Sequence, residues 1–403
     1  VSISLKTPLA TKSVSTIIYF GFVALITETC VRNAIGYKFS QSLIDWRFGI
    51  TRRGLFGEVL RHIVPPPYDY LLYLHISEVV LILVALSLCI FIAVTEFKNL
   101  KENRWFFMLL FLGSPLALKN IVFDIGRTDI YGIFVFLLAA IMYVIEYDRI
   151  LLCFSVPCIA ALSLLSENTI FLFGPSFLYI CYCSGQRQNK AVVWTLVPAA
   201  TLLFALVFNQ LLPPPHVSIE EYHAYLQSKS LTPMNSDPEV FLYMNGFGAL
   251  SHTFKEVYRQ ISLSNAKSFI LMVFFIIILT WSYVFYIIAK AKMTSVEKAM
   301  FYLIPLCYVP LYCLGTDWFR WTSNLTFLMM IIILAKASSW NISLAFPQRR
   351  FAEIWLLAAI FVIPIGISEQ LGPPTSMEFI VRMDPGVRPK YDPADLIWTI
   401  FHR

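Results

Sequence analysis

A chain of 403 residues that is 58% hydrophobic and 14% charged, with 34 Phe, 20 Tyr and 9 Trp, has a mean hydropathy of +0.69 and lies outside the range of ordinary soluble domains. Its net charge of +6 is thinly spread between long apolar runs, a pattern that excludes a nucleic-acid partner and points to a polytopic membrane protein.

The apolar runs fall at 14–31, 71–95, 105–118, 130–146, 150–166, 169–183, 191–211, 268–289, 299–314, 322–337 and 352–367. They predict an all-α polytopic membrane bundle of about eleven transmembrane helices, with soft boundaries because several runs fall short of the roughly 20 residues a bilayer needs. The first run follows Lys6 and Lys12 and ends in ITETCVRN without an A-x-A-like cleavage site, so it reads as a retained anchor. Cys89, Cys153, Cys158, Cys181 and Cys307 lie within runs and Cys30, Cys183 and Cys313 near run ends. They read as small hydrophobes, and no C-x-x-C pair occurs. With no internal repeat, 1–403 reads as a single membrane domain.

A cytoplasmic N-terminus places the basic segments EFKNLKENR, SGQRQNK and KAKMTSVEK on the cytoplasmic side, in keeping with the positive-inside rule. The other, periplasmic side then receives a first loop over 32–70, a large loop over 212–267 and the tail 368–403, besides three short turns. By this count every acid-plus-arginine cluster of the chain falls on that one face.

In the first loop, Asp45, Arg47, Arg52 and Arg53 crowd ahead of Leu55, Phe56, Val59, Leu60 and Ile63, whose helical spacing predicts an amphipathic interfacial helix. Contact with lipid headgroups accounts for Arg61, whereas the crowd before the helix reads either as more of the same or as an anion site. In FDIGRTDIYGIF, Asp124 and Arg127 stand three apart, so they read as an ion pair across a turn, with Asp129 as the N-cap of the next run. Glu167 lies in LLSENTIF between two closely spaced runs, where burial raises a carboxylate pKa unless an arginine from a neighbouring turn answers it. The large loop predicts helices over about 219–228 and from Asp237-Pro238 toward Met244, an ordered lid or binding surface. Within it, HVSIEEYH offers two histidines and two glutamates, but Ser218 and Glu221 already fit a capping box, and no metal site is expected. In GTDWFRW, Asp317 and Arg320 repeat the three-residue spacing between Trp318 and Trp321, which read as an interface belt or as a stacking platform for a sugar.

Several arginines and a few carboxylates set among apolar helices suit a substrate with an anionic head and a long apolar tail, such as a polyprenyl (di)phosphate saccharide. Arginine pairs bidentately with phosphate oxygens and stabilises a departing phosphate. A carboxylate takes the proton of the attacking hydroxyl while the anomeric carbon passes through an oxocarbenium-like state. No cofactor is called for.

On its many spans, on Asp45 beside an interfacial helix in the first outer loop, on the long later loop and on the acid-arginine turns, the chain resembles membrane glycosyltransferases of the C type and the O-antigen and capsule polymerases of bacterial envelopes. The resemblance implies a glycosyltransferase of the bacterial inner membrane. It would act at the periplasmic face on undecaprenyl-(di)phosphate-linked saccharide donor and acceptor, with envelope polysaccharide assembly proteins and membrane lipids as further partners. It implies Asp45 as the base; Glu167 is the other catalytic candidate, on the burial that would raise its pKa toward neutrality. Arg47, Arg52, Arg53, Asp124, Arg127, Asp129, Asp317, Trp318, Arg320 and Trp321 would line the substrate. A flippase of lipid-linked saccharides is the competing reading, but it calls for charges along a central path. A noncatalytic envelope scaffold would need no clustering at all.

Overall fold

The computed structural model describes residues 37–98, 126–244, 284–314 and 317–342, with positions 255, 258, 278, 281 and 282. The expected spans at 14–31, 105–118 and 352–367, the tail 368–403 and Asp124 lie outside the described residues, as does most of the run at 268–289.

Among the described residues the chain is all helical, with one isolated bridge between Tyr68 and Ser230. A short helix α1 (Tyr37–Ser42) and the amphipathic α2 (Leu55–Ile63) precede α3 (Tyr70–Lys98). Four helices follow in close succession: α4 (Asp129–Val144), α5 (Asp148–Leu165), α6 (Asn168–Arg187) and α7 (Ala191–Leu211). Next come the short α8 (Ile219–Ser228) and α9 (Asp237–Tyr243), then α10 (Ser295–Leu306), α11 (Val309–Leu314) and α12 (Trp318–Lys336).

The run at 299–314 is thus two helices rather than one. Pro310 has no N–H to return to the preceding turn and its ring crowds that turn, so α10 stops and α11 starts afresh. The short helices start where their capping residues say. Ser218 accepts from the Glu221 amide and the Glu221 side chain accepts from the Ser218 amide, a full capping box on α8. Pro238 stands in the first turn of α9, where its missing N–H costs nothing.

Three of these helices are long and apolar enough to cross a membrane: residues Tyr70–Thr95 of α3, all of α5 and all of α7. They are peripheral, and each turns one apolar face outward, with Ile82 and Leu86 of α3, Ile150 of α5 and Leu203 and Phe204 of α7 all more than half exposed. The centre is built differently. Helix α6 packs against α4, α5, α7, α10 and α12 and is buried from Thr169 to Gly185 at nearly every position. Helix α12 is buried from Trp321 to Leu334. Both mix Ser, Thr and Asn with their apolar residues, because a helix surrounded by helices need not match hydrocarbon. Gly132 of α4 lies against the Phe173 ring of α6, where a β-carbon would collide with it, so the two backbones approach closely.

A second, separate core lies at one end of the bundle. Phe39, Leu43, Ile44 and Leu60 from the first loop pack with Tyr222, Leu226 and Leu242 from α8 and α9. Backbone hydrogen bonds from Tyr68 N to Lys229 O (2.6 Å) and from Leu231 N to Tyr68 O (2.9 Å) stitch the two segments together. Gly57 sits directly on the Ile44 carbonyl, leaving no space for a β-carbon. The first loop and the 212–244 segment therefore fold together as one cap. That co-folding makes the segment a fixed roof in this structure rather than a free lid.

Candidate functional site

Asp45 is a fully buried charge of the cap. It is 0% exposed, and its Oδ2 accepts from Lys229 Nζ at 2.6 Å and from the Tyr225 hydroxyl at 2.8 Å. The Arg47 amide donates to Oδ1 at 3.2 Å, and the Tyr222 hydroxyl bonds the Asp45 backbone on both sides. Burial lowers the Lys229 pKa while Asp45 pushes it back up. Burial and Asp45 both raise the Tyr225 phenol. Exposed Arg47 lies over the Tyr225 ring at 5.1 Å.

Arg52 and Arg53 point to different partners. Arg52 Nη2 donates to Phe241 O (3.0 Å) and Met244 O (2.8 Å), the carbonyls that end α9. There a cation complements both the unpaired carbonyls and the helix dipole. Arg53 turns into the bundle, with Nε donating to both Glu167 oxygens at 3.1 and 2.8 Å and Nη2 closing on Oε1. Its guanidinium also lies over the Phe241 ring at 5.2 Å. The backbone of Arg53 has φ +64, in the left-handed region, which costs a residue with a β-carbon about 1–2 kcal/mol.

Glu167 occupies the two-residue turn between α5 and α6, closed by the Thr169 hydroxyl donating to Ser166 O at 2.6 Å. Burial works against its charge, but the charge and hydrogen bonds of Arg53, helped by Arg52, outweigh it and hold the pKa down at about 2. The sequence left this shift conditional on an answering arginine, and Arg53 is that arginine.

Beside this ion pair lies a small cleft. Lys38, Gln41 and Ser42 of α1 and Arg53 line it together with Phe56, Tyr73, Gly126, Thr128, Tyr131 and Leu165. Charged and hydrogen-bonding groups thus share the cleft with aromatic and aliphatic side chains. Lys38 and Arg53 are 7% and 9% exposed, and the inner free volume is about 10 Å³, room for one water.

A second polar group stands at the same end. Asp129 does not cap α4: Thr128 holds the N-cap position, and the Asp129 carboxylate reaches across to α12, where Asn324 Nδ2 donates to it at 2.7 Å and Arg320 Nε lies at 3.4 Å. The first-turn backbone needs no side-chain cap here, and the buried carboxylate is answered by the neighbouring helix instead. Arg320 also bonds Asp317 at 2.6 Å, three residues before it. Arg127 is buried in the turn before α4. Trp321 is 3% exposed and set edge-on to Tyr312, so of the two tryptophans only half-buried Trp318 has open surface.

The expectation that acid-arginine clusters occupy a single face does not hold. At the opposite end Asp148 pairs with Arg187 at 2.5 Å and accepts from Gln188 at 3.0 Å and from Ser184. Glu297 pairs with Lys336 at 2.8 Å and accepts from Trp340 Nε1 at 2.8 Å and the Tyr179 hydroxyl at 3.2 Å. Each of the two ion pairs joins different helices across 39 residues of sequence, so counting charges loop by loop cannot pair them.

Comparison of the chain with protein-family models, curated proteins and solved structures finds no match. Among the described residues no group of three His, Cys, Asp or Glu is placed to hold a metal ion. His223 of the HVSIEEYH segment instead faces Glu239 at 2.9 Å.

Proposed function

We propose that the protein is a membrane glycosyltransferase acting on polyprenyl (di)phosphate-linked saccharides at the Asp45 end of the bundle. On this reading that end faces the periplasm from the bacterial inner membrane. The observation that carries the reading is the cleft itself, in which Arg53 and Lys38 share walls with Phe56, Tyr131 and Leu165. A phosphate needs the first pair and the start of an isoprenoid chain the second. The left-handed backbone of Arg53 adds support, because strain of this kind concentrates at functional positions.

In the transfer, the acceptor hydroxyl oxygen bonds to the anomeric carbon as the bond from that carbon to the phosphate oxygen breaks. The electron pair leaves with the phosphate, whose charge Arg53 and Lys38 stabilise, and the hydroxyl proton passes to a carboxylate. Glu167 is the carboxylate beside the cleft. Asp45 has both oxygens engaged inside the cap, so we assign it the pinning of the roof over the site. Between Glu167 and Arg187 on α6, and between Arg320 and Lys336 on α12, the sequence has no charged residue, which weighs against a transport path through the centre.

Deleting the gene and resolving envelope polysaccharide by length tests the reading. Loss of long chains with single units retained identifies a polymerase, and unchanged length with altered composition a side-branch transferase. Polysaccharide unchanged in both respects overturns it.

A further inference from the structure

We propose that Glu167 is the resting occupant of the Arg53 guanidinium and that the phosphate of a lipid-linked saccharide displaces it, leaving a free carboxylate beside the bound headgroup. This rests on the reading of the cleft as a lipid-phosphate site. Arg53 belongs to two structures at once, lining the cleft and holding Glu167 through Nε and Nη2. A phosphate offers the same fork of oxygens that the carboxylate now supplies, so the two compete for one set of donors. The inner free volume of about 10 Å³ admits a water but not an additional phosphate. Binding therefore requires exchange at Arg53 rather than addition to it.

The carboxylate is the partner with freedom to leave. The Glu167 side chain is 24% exposed against 9% for Arg53, and although Glu167 stands at the N-cap position of α6 its side chain makes no capping bond. Arg53 is fixed by its turn and by the Phe241 ring. Among the described residues, Arg53 and at longer range Arg52 are the cations that act most strongly on Glu167. Once phosphate neutralises the first, only Arg52 and a backbone hydrogen bond remain against burial, and the carboxylate gains affinity for a proton. Substrate binding thus converts a poor base into a competent one at the moment a hydroxyl proton must be accepted.

The probes are farnesyl phosphate and farnesol, titrated into the detergent-solubilised full chain as wild type, Glu167→Gln and Arg53→Lys. Exchange requires Glu167→Gln to bind farnesyl phosphate about tenfold or more tightly than wild type, because no anion has to be evicted. It also requires the wild type to take up more protons on binding at about pH 5 than Glu167→Gln does, read by calorimetry in two buffers of different ionisation enthalpy, because the protons a phosphate itself releases on entering a cationic site are common to both. Binding by Glu167→Gln that is equal or weaker, or a proton linkage that is the same in wild type and Glu167→Gln, overturns the exchange while the lipid-phosphate reading stands. Farnesol binding as well as farnesyl phosphate, or Arg53→Lys binding as well as wild type, removes the lipid-phosphate site and the exchange with it.

Discussion

Lys229 Nζ lies 2.6 Å from Asp45 Oδ2 across 184 residues of sequence, with the two side chains 7% and 0% exposed. This pair joins the first loop to the α8–α9 roof at the centre of the cap, with the Tyr225 hydroxyl as a third member. Buried charges are tolerable only as a satisfied set, and removing one member leaves the other desolvated without compensation.

Asp45→Asn should therefore loosen the cap, by about 3–5 kcal/mol for a pair this deeply buried. The further change Lys229→Met should recover much of the loss, because no stranded charge then remains. Limited proteolysis of the 212–244 segment in the single and double variants checks this. An Asp45→Asn cap as resistant as wild type, with activity lost, would return Asp45 to the chemistry.

Arg53 and Glu167 give the protein a signature in acid. The folded Glu167 pKa of about 2 is below its ordinary value of 4.5, so the ionised form is favoured by folding. The stabilisation, about 3 kcal/mol at one pKa unit per 1.36 kcal/mol, is present in full above pH 4.5 and is lost as pH falls toward 2. Thermal unfolding of wild type and Glu167→Gln should differ most near neutral pH and converge through that window. A constant difference at every pH would show that the ion pair carries none of it.

Local signals in the sequence located the helices of the cap well. Ser218 with Glu221 marked the start of α8, Asp237-Pro238 marked α9, and the spacing of Leu55, Val59 and Ile63 marked α2. Each is written within a few residues. The clusters themselves depend on pairings between distant segments. Lys229 stands at the end of α8 as an ordinary surface lysine until the bridge from Ser230 to Tyr68 carries it onto Asp45. Lys38 gave no signal, and neither did Asn324, which reaches Asp129 across 195 residues. Asp129 followed a cap-like local pattern, and a neighbouring helix took its carboxylate instead.

The opposite end carries a second test of buried charge. Glu297 and Lys336 are 7% and 9% exposed, and Glu297 is further tied to Trp340 and Tyr179. Glu297→Gln should destabilise the contact between α10 and α12, by about 3–5 kcal/mol, and Glu297→Gln with Lys336→Met should be milder than the single change. Folding yield and unfolding temperature in detergent report it. A single variant as stable as wild type would mean that Lys336 finds water on losing its partner.

Sidedness completes the functional argument, because a transferase on periplasmic lipid-linked saccharides needs the Asp45 end outside the cytoplasm. Ser236 is exposed in the cap and Lys190 is exposed in the turn after α6. Between them runs α7, one of the three helices long and apolar enough to cross a membrane. In a variant freed of its eight native cysteines, Ser236→Cys should react with an impermeant maleimide in intact cells, and Lys190→Cys only after permeabilisation. The basic segment SGQRQNK next to Lys190 supports this orientation through the positive-inside rule. The reverse pattern would place the cleft in the cytoplasm, where nucleotide-linked sugars are the available donors, and the proposed donor class would fall. Equal labelling of both positions in intact cells would mean that α7 does not separate two compartments.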